Sequence, residues 1–325
     1  MTFKPYLDAI NQQISKTSYG QHPVELYEPI SYLMSLGGKR LRPVLTTLAT
    51  HLFTDDWQKA LKPAIAVEVF HNFTLMHDDI MDQAPLRRGK PTVHEKWNTN
   101  IAILSGDVML VNAYELLIDV EPAKLPHILK RFNKTAAEVC EGQQLDMNFE
   151  VKPTVSQEEY LEMIRLKTSV LLGFALELGA IIGNADSQTT QALYDAGVNI
   201  GLGFQLKDDF LDVYGDPDKF GKQVGGDIIA NKKTFMLIEA LLLAEGSTKK
   251  ELLHWLSLPF GTYDTQQKVS AITNIYNLLS IDKIAETKAN QYFDAGYAIL
   301  NQLSVNAERK QNLIEFVDFL VGREH

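Results

Sequence analysis

Two short acidic motifs are the residues whose types and spacing could do chemistry. The first occupies residues 78–82 (DDIMD) and the second occupies residues 208–212 (DDFLD). In a helix, residues four positions apart share a face, so the first and last aspartate of each motif point the same way. Carboxylate oxygens with room for water suit Mg²⁺, which commonly also carries a substrate phosphate when it is held this way. One motif alone is typical of a solvated helix face, but two copies predict carboxylate clusters that hold metal ions between them.

A third group of candidate residues lies in the segment GGKRLRP at residues 37–43. We expect this segment to open a helix, with Lys39 and Arg42 three residues apart and therefore on one face. Backbone N–H groups at a helix N-terminus and arginine side chains both bind phosphate oxygens, so the segment is a candidate diphosphate site. His71 lies two helical turns before Asp78 and would face the same site. Taken singly, these features are as typical of a solvated basic turn and a structural histidine.

Two long segments, residues 84–97 and 215–232, directly follow the acidic motifs and are rich in Gly, Lys or Arg. Such segments often close over bound ligands, so both are candidate lids over a phosphate site. Each one alone is also typical of a plain surface connection. The candidate phosphate-binding residues in these segments are Arg87, Arg88, Lys222 and Lys232. A Lys-Thr pair that interrupts an apolar helix, Lys167 and Thr168, adds two further candidates.

The composition is that of a globular chain with a sizeable core. The 325 residues carry a formal net charge of −10, and 45% of them are hydrophobic while 22% are charged. An acidic chain is a poor partner for nucleic acid, whose phosphates require a basic surface. A lone cysteine, Cys140, excludes an intrachain disulfide, and we expect a buried, inert thiol in a reducing compartment.

The N-terminus shows neither an apolar signal core nor an arginine-rich transit pattern. The longest apolar stretch, residues 170–183, contains Glu177 and is too short to span a bilayer. We therefore expect a cytoplasmic protein without an integral membrane segment.

The hydrophobic pattern predicts helices nearly throughout, because apolar residues recur at three- and four-residue spacing and alternating strand-like runs are missing. No low-complexity linker divides the chain, so we predict an all-α, single-domain fold over residues 1–325. The predicted helices cover residues 4–18, 24–36, 39–52, 57–83, 98–119, 124–148, 156–183, 187–214, 233–246, 248–257, 265–303 and 306–322.

Eight blocks in a fixed order resemble those of the all-trans polyprenyl (isoprenyl) diphosphate synthase family, most of all the short-chain geranylgeranyl and farnesyl diphosphate synthases. They extend from about residue 37 to residue 234, and their ordered co-occurrence is far more specific than any one block. The blocks are GGKRLRP, HNFTLMHDDIMD, LRRGKPTVH, ILSGDVML, EGQQLDM, KTSVLLG, FQLKDDFLDVYGD and FGKQVGGDI…NKKT.

The resemblance implies the isoprenoid synthase fold, a helical bundle around a deep central cavity, usually in a homodimer. It also implies head-to-tail condensation of isopentenyl diphosphate with an allylic diphosphate. Three Mg²⁺ would be held on the allylic diphosphate by Asp78, Asp79, Asp82, Asp208, Asp209 and Asp212. Isopentenyl diphosphate would be bound by Lys39, Arg42, His71 and Arg88. The allylic diphosphate would be reached by Arg87, Lys167, Lys222 and Lys232, and oxygens for the developing cation would come from Thr168 and Gln205.

The implied reaction explains why these residue types are needed. Breaking the allylic C–O bond leaves a carbocation and a highly charged diphosphate. Metal ions and basic side chains stabilise this leaving group more strongly as its charge grows, which lowers the barrier. No nucleophilic Ser, Cys or His is required, and an apolar cavity wall keeps water away from the cation.

Product length depends on residues upstream of the first motif, where the growing chain would extend. Thr74 is small, whereas Phe73 and Phe70 are bulky, and Phe70 lies roughly 12 Å before Asp78 along the helix. The sequence has an aromatic residue five positions before Asp78, none four positions before it, and no insertion in the motif. This combination resembles that of synthases that make geranylgeranyl diphosphate. A farnesyl or longer-chain synthase is the alternative, because other helices also build pocket floors and both phenylalanines fit an ordinary core.

Three other interpretations of the acidic motifs fit less well. A terpene cyclase normally lacks a second DDxxD motif and has no second diphosphate to bind. A non-catalytic partner subunit of a heteromeric synthase tends to lose one acidic motif, and both are complete here. A pure magnesium- or phosphate-binding module would not need an apolar pocket floor.

Overall fold

A computed structural model of the chain describes residues 2–216, 224–259 and 261–322. The protein is 78% helical with almost no strand in this part, which confirms the all-α prediction. Contacts between residues divide the chain into two compact units. The first unit comprises Met1–Ala136, Leu171–Gly197 and Ile299–Asp318, and the second comprises Ala137–Val170, Val198–Ala298 and Phe319–His325. A single domain over residues 1–325 stays a prediction.

The secondary structure of the described residues follows the chain in this order. The first part contains α1 (Lys4–Lys16), α2 (Val24–Ser35), α3 (Leu41–His51), a 3₁₀ turn (Trp57–Ala60), α4 (Leu61–Met81), β1 (Leu86–Arg87), β2 (Lys90–Pro91), α5 (Val93–Lys96) and α6 (Thr99–Ile118). The middle contains α7 (Leu125–Val151), α8 (Gln157–Ile164), a π-helical turn (Arg165–Ser169), α9 (Val170–Gly183) and α10 (Ser187–Tyr214). The last part contains α11 (Gly226–Ile229), α12 (Phe235–Leu243), α13 (Gly246–Ser257), α14 (Thr265–Leu278), α15 (Ile281–Gln302) and α16 (Ala307–Val321).

Helix α4 forms the centre of the first unit. Its residues 64–67 are fully buried although they cover every side of the helix, which is the pattern of a core helix. It packs against α3 and α6. Where α4 meets α6, Gly106 leaves room for the ring of His77, which a Cβ at that position would overlap. This contact fixes the end of α4 that carries the first acidic motif.

The second unit has its own apolar core, which supports the second acidic motif on α10. The core includes Leu206 of α10, Phe235 of α12 and Tyr276 of α14. Helix α8 begins with a capping box, in which Ser156 accepts a hydrogen bond from the Glu159 amide and the Glu159 side chain accepts one from the Ser156 amide. The cap sets the start of the helix that places Tyr160 beside the second motif.

The start of α3 differs from the helix predicted over residues 39–52. Arg40 adopts a left-handed conformation with φ of 48°, which is uncommon for a non-glycine residue and keeps it out of the helix. Helix α3 therefore begins at Leu41. Lys39 precedes the helix and does not share a helical face with Arg42, which corrects that expectation.

Residues 84–97 contain a small hairpin at residues 86–91 and the short helix α5 rather than an irregular loop, although the sequence pattern predicted no strands. Strands β1 and β2 pair in antiparallel fashion. The turn places Arg88 at φ 53° and Gly89 at φ 71°, the two left-handed residues that a type I′ hairpin requires. Thr92 closes the base by donating its hydroxyl to the Ala84 carbonyl at 2.7 Å. The hairpin therefore presents Arg87 and Arg88 from a defined backbone.

Two long predicted helices are interrupted in the structure. The helix predicted over residues 156–183 contains the π-helical turn, which includes Lys167 and Thr168. Such turns are frequent at functional sites. The helix predicted over residues 265–303 is broken where Ser280 adopts φ of 55°. Neither break is marked by Gly or Pro, so the hydrophobic pattern runs through both.

Cys140 is exposed on α7, which corrects the expectation of a buried thiol. Partial burial and the negative charge of Glu141 raise the pKa of Cys140. The thiol is therefore mainly protonated at neutral pH.

Two helical stretches of the described residues are long and apolar enough to cross a membrane, judged by length and composition alone. They are Thr99–Ile118 and the continuous run Gln157–Gly183. The second run is 89% buried within the protein, and core helices of soluble proteins have the same composition. These stretches are weak evidence for a membrane segment.

Candidate active site

Arg88 of the hairpin lies against the glycine segment that precedes α3. Its guanidinium donates a hydrogen bond to the Gly37 carbonyl. It also covers Gly38, which has φ of 132° and where an added Cβ would lie 2.9 Å from Arg88 Nη2. Only glycine fits both this conformation and this approach. The contact fixes Arg88 next to the residue before Lys39.

His71 of α4 lies among positive charges in the first unit. Burial lowers the pKa of His71 well below its ordinary value, and positive neighbours lower it further. His71 is therefore neutral at pH 7 and acts as a hydrogen-bonding group rather than a cation. The positive neighbours are Arg42, Arg88, Arg87 and Arg40.

Arg42 also belongs to this cationic cluster. Burial lowers the pKa of Arg42 to about 10, while the negative charge of Glu68 opposes that effect. Arg42 therefore keeps its charge at pH 7. The first unit thus brings together three of the four residues predicted for isopentenyl diphosphate, and the fourth, Lys39, lies exposed beside Arg40.

Asp79 of the first motif faces Arg87 of the hairpin. Arg87 Nε lies 2.8 and 2.9 Å from the two Asp79 carboxylate oxygens. Burial raises the pKa of Asp79, against the lowering effect of Arg87. Asp78 Oδ2 is 3.8 Å from Arg87 Nη2, and Asp82, at the end of α4, is exposed. Asp78 and Asp82 are thus the more accessible pair, one turn apart, while Asp79 fixes Arg87.

Asp209 of the second motif lies in a buried hydrogen-bond chain within the second unit. It accepts hydrogen bonds from the Tyr160 hydroxyl and from Gln205 Nε2, the latter at 3.2 Å. Burial, followed by the negative charge of Asp227, raises the pKa of Asp209 to about 8. Thr168 donates its hydroxyl to Gln205 Oε1 at 3.2 Å. Thr168, Gln205 and Asp209, each predicted separately, therefore form one network.

Asp146 of α7 connects two predicted lysines. Its Oδ2 lies 2.6 Å from Lys167 Nζ and 3.9 Å from Lys232 Nζ. Burial alone would raise the pKa of Asp146, but the two ammonium groups outweigh burial and hold that pKa below its ordinary value. The ionised carboxylate therefore holds both lysines. The third predicted lysine, Lys222, lies outside the described residues.

Asp208 and Asp212 lie one turn apart on α10, and both are partly exposed. The Asp212 carboxylate accepts a hydrogen bond from the Asp227 amide at 2.9 Å, and its carbonyl accepts one from the Gly225 amide at 2.6 Å. The second acidic motif is thus tied to the segment that begins α11.

Aromatic side chains lie upstream of the first motif, at the positions predicted to form the pocket floor. The ring centroids of Phe73 and Phe70 are 5.6 Å apart, and those of Phe70 and Phe132 are 5.2 Å apart. Phe174 extends this aromatic cluster, with its ring centroid 5.7 Å from that of Phe132. Thr74 donates its hydroxyl to a carbonyl of its own helix and adds little bulk. The first unit therefore contains an aromatic cluster that joins Phe73 and Phe70, one to two turns before Asp78, to rings of α7 and α9.

The polyprenyl synthetase family model matches residues 23–276. The chain belongs to the polyprenyl synthetase family. A geranylgeranyl diphosphate synthase of Methanosarcina mazei is 37% identical over 305 residues, which cover 93% of this chain and 91% of that protein. A geranylfarnesyl diphosphate synthase of Natronomonas pharaonis is 34% identical, and the match covers 98% of this chain and 96% of that protein.

The fold of this polyprenyl synthetase agrees with solved structures. A geranylgeranyl pyrophosphate synthase crystal structure matches it with a TM-score of 0.95 at 42% identity, over 99% of this chain and 98% of the other. A second one, from Pyrococcus horikoshii, matches with a TM-score of 0.90 at 34% identity, over 99% of this chain and 97% of the other. The enzyme is therefore a trans-prenyltransferase with the all-α fold of isoprenyl synthases.

Four residues that contact the candidate site residues, or lie between them, were missed by sequence reasoning. Two of the four have a signal in the sequence. Glu68 lies inside an apolar helix, which predicts a buried cationic partner, and Asp146 lies inside the block EGQQLDM, which predicts a role beyond solvation. No comparable signal marks the other two, since arginine and tyrosine are common at solvent-facing positions. The four residues are Arg40, Glu68, Asp146 and Tyr160.

The carboxylates suit the predicted metal. Among residues 2–216, 224–259 and 261–322, no three His, Cys, Asp or Glu side chains are arranged to hold a metal by themselves. The accessible pairs are Asp78 with Asp82 in the first unit and Asp208 with Asp212 in the second. Mg²⁺ takes oxygen ligands and is commonly bound by one or two carboxylates, with substrate phosphate and water completing its shell. The donor set therefore fits Mg²⁺ that arrives with a diphosphate.

Proposed function

We propose that this polyprenyl synthetase is a short-chain enzyme that condenses isopentenyl diphosphate with an allylic diphosphate, with geranylgeranyl diphosphate as its main product. One observation carries the proposal: in the first unit, a cationic cluster around neutral His71 includes Arg87, which is held by Asp79 of a carboxylate motif. A reaction of two diphosphates needs two kinds of site, one made of cations and one of metal-binding carboxylates. The names of the relatives support the same reaction class.

The cationic cluster is proposed to bind isopentenyl diphosphate. Arg42 and Arg88 supply charge and forked donors for phosphate oxygens, and Lys39 adds an exposed ammonium group. Neutral His71 adds a hydrogen bond without another charge. Since no carboxylate motif residue is needed there, this substrate binds independently of metal.

The second diphosphate, that of the allylic substrate, is proposed to contact Arg87, Lys167, Lys222 and Lys232. Asp79 positions the first of these, and Asp146 positions Lys167 and Lys232. These cations stabilise the diphosphate as the allylic C–O bond breaks and its charge grows. Three Mg²⁺ ions, held by Asp78, Asp82, Asp208 and Asp212, would add Lewis-acid stabilisation of the same charge. Asp79 and Asp209, predicted from the sequence as further metal ligands, are proposed instead to act as positioning residues, because their carboxylates are held by Arg87 and Tyr160.

The allylic cation is proposed to lie near the hydroxyl of Thr168 and the amide of Gln205. Thr168 donates to Gln205, so lone pairs of its hydroxyl oxygen remain for the cation. The double bond of isopentenyl diphosphate attacks the cation and forms the new C–C bond. The proton lost from the product goes to the departing diphosphate, so no protein base is required.

Phe73 and Phe70 are proposed to limit chain length. The contacting rings of Phe73, Phe70 and Phe132 support a floor more than one ring deep on the N-terminal side of the first motif. The relatives named as geranylgeranyl diphosphate synthases support the corresponding product. Since one relative is named a geranylfarnesyl diphosphate synthase, a product with one more isoprene unit is the next candidate.

The two units are proposed to act as one polyprenyl synthetase domain, because the family match over residues 23–276 includes parts of both. We also propose a cytoplasmic homodimer. An exposed apolar stripe on α6 supports self-association: Leu104, Val111 and Ile118 repeat every seven residues and are 57–58% exposed. Light scattering after gel filtration tests this, and a Leu104→Lys/Val111→Lys variant should shift a dimer toward monomer.

Product analysis tests the proposed reaction. The enzyme is incubated with isopentenyl diphosphate, Mg²⁺ and one allylic primer at a time: dimethylallyl, geranyl or farnesyl diphosphate. Geranylgeranyl diphosphate as the main product supports both the reaction and the floor. Farnesyl diphosphate would keep the reaction and place the floor nearer the metal site, whereas a longer product would exclude Phe70 and Phe73 as the floor. Absence of condensation with every primer would favour a non-catalytic partner subunit.

A further inference from the structure

Lys268 of α14 is a lysine in the interior of the second unit, with 0% of its surface exposed. Its ammonium group lies 2.6 Å from Asn231 Oδ1, 3.1 Å from the Tyr263 hydroxyl oxygen and 3.3 Å from the Ile229 carbonyl oxygen. A lysine ammonium has three N–H donors, so each donor has one acceptor. All three acceptors are neutral. Burying a cation among neutral groups costs free energy that an apolar side chain of the same length would avoid.

Two of the three acceptors of Lys268, those of Ile229 and Asn231, belong to the segment of residues 225–234. Ile229 is the last residue of α11, and its carbonyl also accepts a hydrogen bond from the Tyr263 hydroxyl. Asn231 adopts a left-handed conformation with φ of 54°. Its side chain also donates to the Leu256 carbonyl at 3.2 Å. Lys268 therefore holds the Ile229 carbonyl on one side of Ala230 and the Asn231 side chain on the other, and so supports the left-handed conformation of Asn231.

The anchored residues lead directly into Lys232. The Lys232 amide donates to the Asp227 carbonyl at 2.9 Å, and the Asp227 amide donates to the Asp212 carboxylate at 2.9 Å. The Lys232 ammonium lies 3.9 Å from Asp146 Oδ2. Residues 225–234 thus connect the last aspartate of the second motif with a lysine proposed for the allylic diphosphate. A displacement at Asn231 would move Lys232 because the two residues are adjacent.

We propose that Lys268 is a positioning residue that holds residues 229–231 so that Lys232 faces the allylic diphosphate. It acts through the backbone and does not touch either substrate. This role rests on the proposed function for its consequence in catalysis, but not for the anchoring itself. The sequence gives little sign of it, since a lysine on an amphipathic helix ordinarily predicts a solvent-facing position.

The test compares Lys268→Met with a matched control, Lys310→Met. Lys310 also donates to two backbone carbonyls, those of Asn301 and Leu303 at 2.9 Å each, but it does so in the first unit. In Lys268→Met, kcat/KM for the allylic diphosphate should fall roughly 10- to 100-fold, the usual effect of losing a supporting partner of a site residue. The KM for isopentenyl diphosphate should stay within about twofold in both variants.

A double-mutant cycle separates positioning from a general structural effect. In a Lys232→Ala background, adding Lys268→Met should have little further effect on allylic kcat/KM, because both changes remove the same interaction. Additive losses would overturn the proposal. It would also be overturned if Lys268→Met lowered only the active fraction and left both KM values unchanged, or if Lys310→Met produced the same allylic defect.

Two substitutions at Asn231 keep the test decisive if Lys268→Met does not fold. Asn231→Gly removes the acceptor but tolerates left-handed φ, so it should reproduce the allylic defect. Asn231→Asp keeps an acceptor for Lys268 and, like Asn231→Gly, loses the donor to the Leu256 carbonyl, so it should retain more activity than Asn231→Gly. Equal activity of the two variants would contradict the role of the Lys268 contact.

Hydrogen exchange gives a readout that does not depend on activity. The amides of Lys232 and Thr234 are hydrogen-bonded within this segment. In Lys268→Met these amides should exchange faster, while amides of α10 should keep their parent rates. Faster exchange in a protein that condenses no substrates would refute the proposed function and retain the anchoring. Unchanged exchange in an active enzyme would refute the anchoring alone.

Discussion

Arg40 and Glu68 form an ion pair inside the first unit, with 2.7 Å between Arg40 Nη1 and Glu68 Oε1 and 3% of each side chain exposed. Arg40 also donates a hydrogen bond from Nη2 to the Met34 carbonyl at 2.8 Å. It does so from a left-handed backbone that costs a non-glycine residue roughly 1–2 kcal/mol. The pair therefore holds a strained residue between Lys39 and Arg42, both proposed to bind isopentenyl diphosphate.

Arg40→Met should destabilise the protein strongly, because it leaves the Glu68 carboxylate buried without its cation. Breaking a buried pair in this way costs about 3–5 kcal/mol, which a urea unfolding curve measures. The KM for isopentenyl diphosphate should rise at the same time, because the segment that carries Lys39 loses its anchor. The KM for the allylic diphosphate should change much less.

The double variant Arg40→Met/Glu68→Leu provides the control. It removes the stranded charge as well, so it should recover much of the stability lost in Arg40→Met. The isopentenyl diphosphate KM should remain raised, because the anchor is still missing. A double variant as unstable as the single one would show that burial of Glu68 is not the cause.

His71 should make the stability depend on pH. Its pKa is lowered in the folded protein by burial and by the neighbouring arginines, so the unfolded chain binds a proton that the folded one does not. This contribution is fully present above the unfolded pKa of about 6.5 and is lost as the pH falls toward the folded pKa. The loss amounts to at most about 1.4 kcal/mol for each pH unit.

Urea unfolding between about pH 7.5 and about pH 5.5 measures this contribution. In His71→Gln, which keeps hydrogen-bonding groups but does not titrate, stability should fall less steeply over this range. The parent protein and the variant share all carboxylates. The difference between their slopes of unfolding free energy against pH therefore measures the contribution of His71 alone. Equal slopes would mean that His71 takes up a proton in the folded state as readily as in the unfolded one.

The helical fold was largely predictable, because buried helices impose apolar spacing over many residues. The helix predicted over 187–214 matches α10, and several others differ by one to three residues at their ends. Departures occurred where one residue adopts an uncommon conformation that spacing does not encode. Arg40 and Ser280 are left-handed without being glycine, and the π-helical turn keeps apolar residues on both sides.

The site was predictable as a set of residue types but not as a set of contacts. Aspartate and arginine at the right spacing indicated metal and diphosphate. They did not reveal that Asp79 faces Arg87 or that Asp209 faces Tyr160. Those contacts depend on a hairpin and on a helix distant in sequence. The role of Lys268 could not be predicted for the same reason. Two of its acceptors, Ile229 and Asn231, lie more than thirty residues away in the sequence, and the third, Tyr263, lies in a turn.

Asp78→Ala and Asp208→Ala should each abolish turnover without unfolding the protein. Each removes a carboxylate from an accessible pair that fits Mg²⁺, and we expect kcat to fall at least about 100-fold. The fold should persist, because removing one of several clustered like charges relieves repulsion. Steady-state kinetics over a range of Mg²⁺ concentrations, with circular dichroism on the same samples, measures both effects.

Asp119→Ala is the matched control for these two variants. Asp119 is half exposed and pairs with Lys62 on the surface, at 2.7 Å. Exposed pairs contribute about 1 kcal/mol or less, so both activity and stability should stay near those of the parent enzyme. Near-normal turnover in Asp78→Ala or Asp208→Ala would exclude a metal site built from both motifs.

Phe73→Ala should lengthen the main product. The Phe73 ring contacts that of Phe70, which lies one turn further from the motif, so truncating Phe73 removes the first ring of the floor while the second remains. Phe70→Ala in addition should lengthen the product again, until Phe132 limits it. Each truncation also leaves a cavity that costs about 3–5 kcal/mol, so thermal unfolding must accompany product analysis.

Phe316→Ala separates the loss of an aromatic ring from the opening of the floor. Phe316 is buried in the same unit and packs edge-on against Phe3, with ring centroids 4.9 Å apart. Its truncation should lower stability by an amount similar to that of Phe73→Ala and leave the product length unchanged. Longer products from Phe316→Ala would mean that general loosening of the first unit controls chain length. An unchanged product from Phe73→Ala would move the floor to another helix.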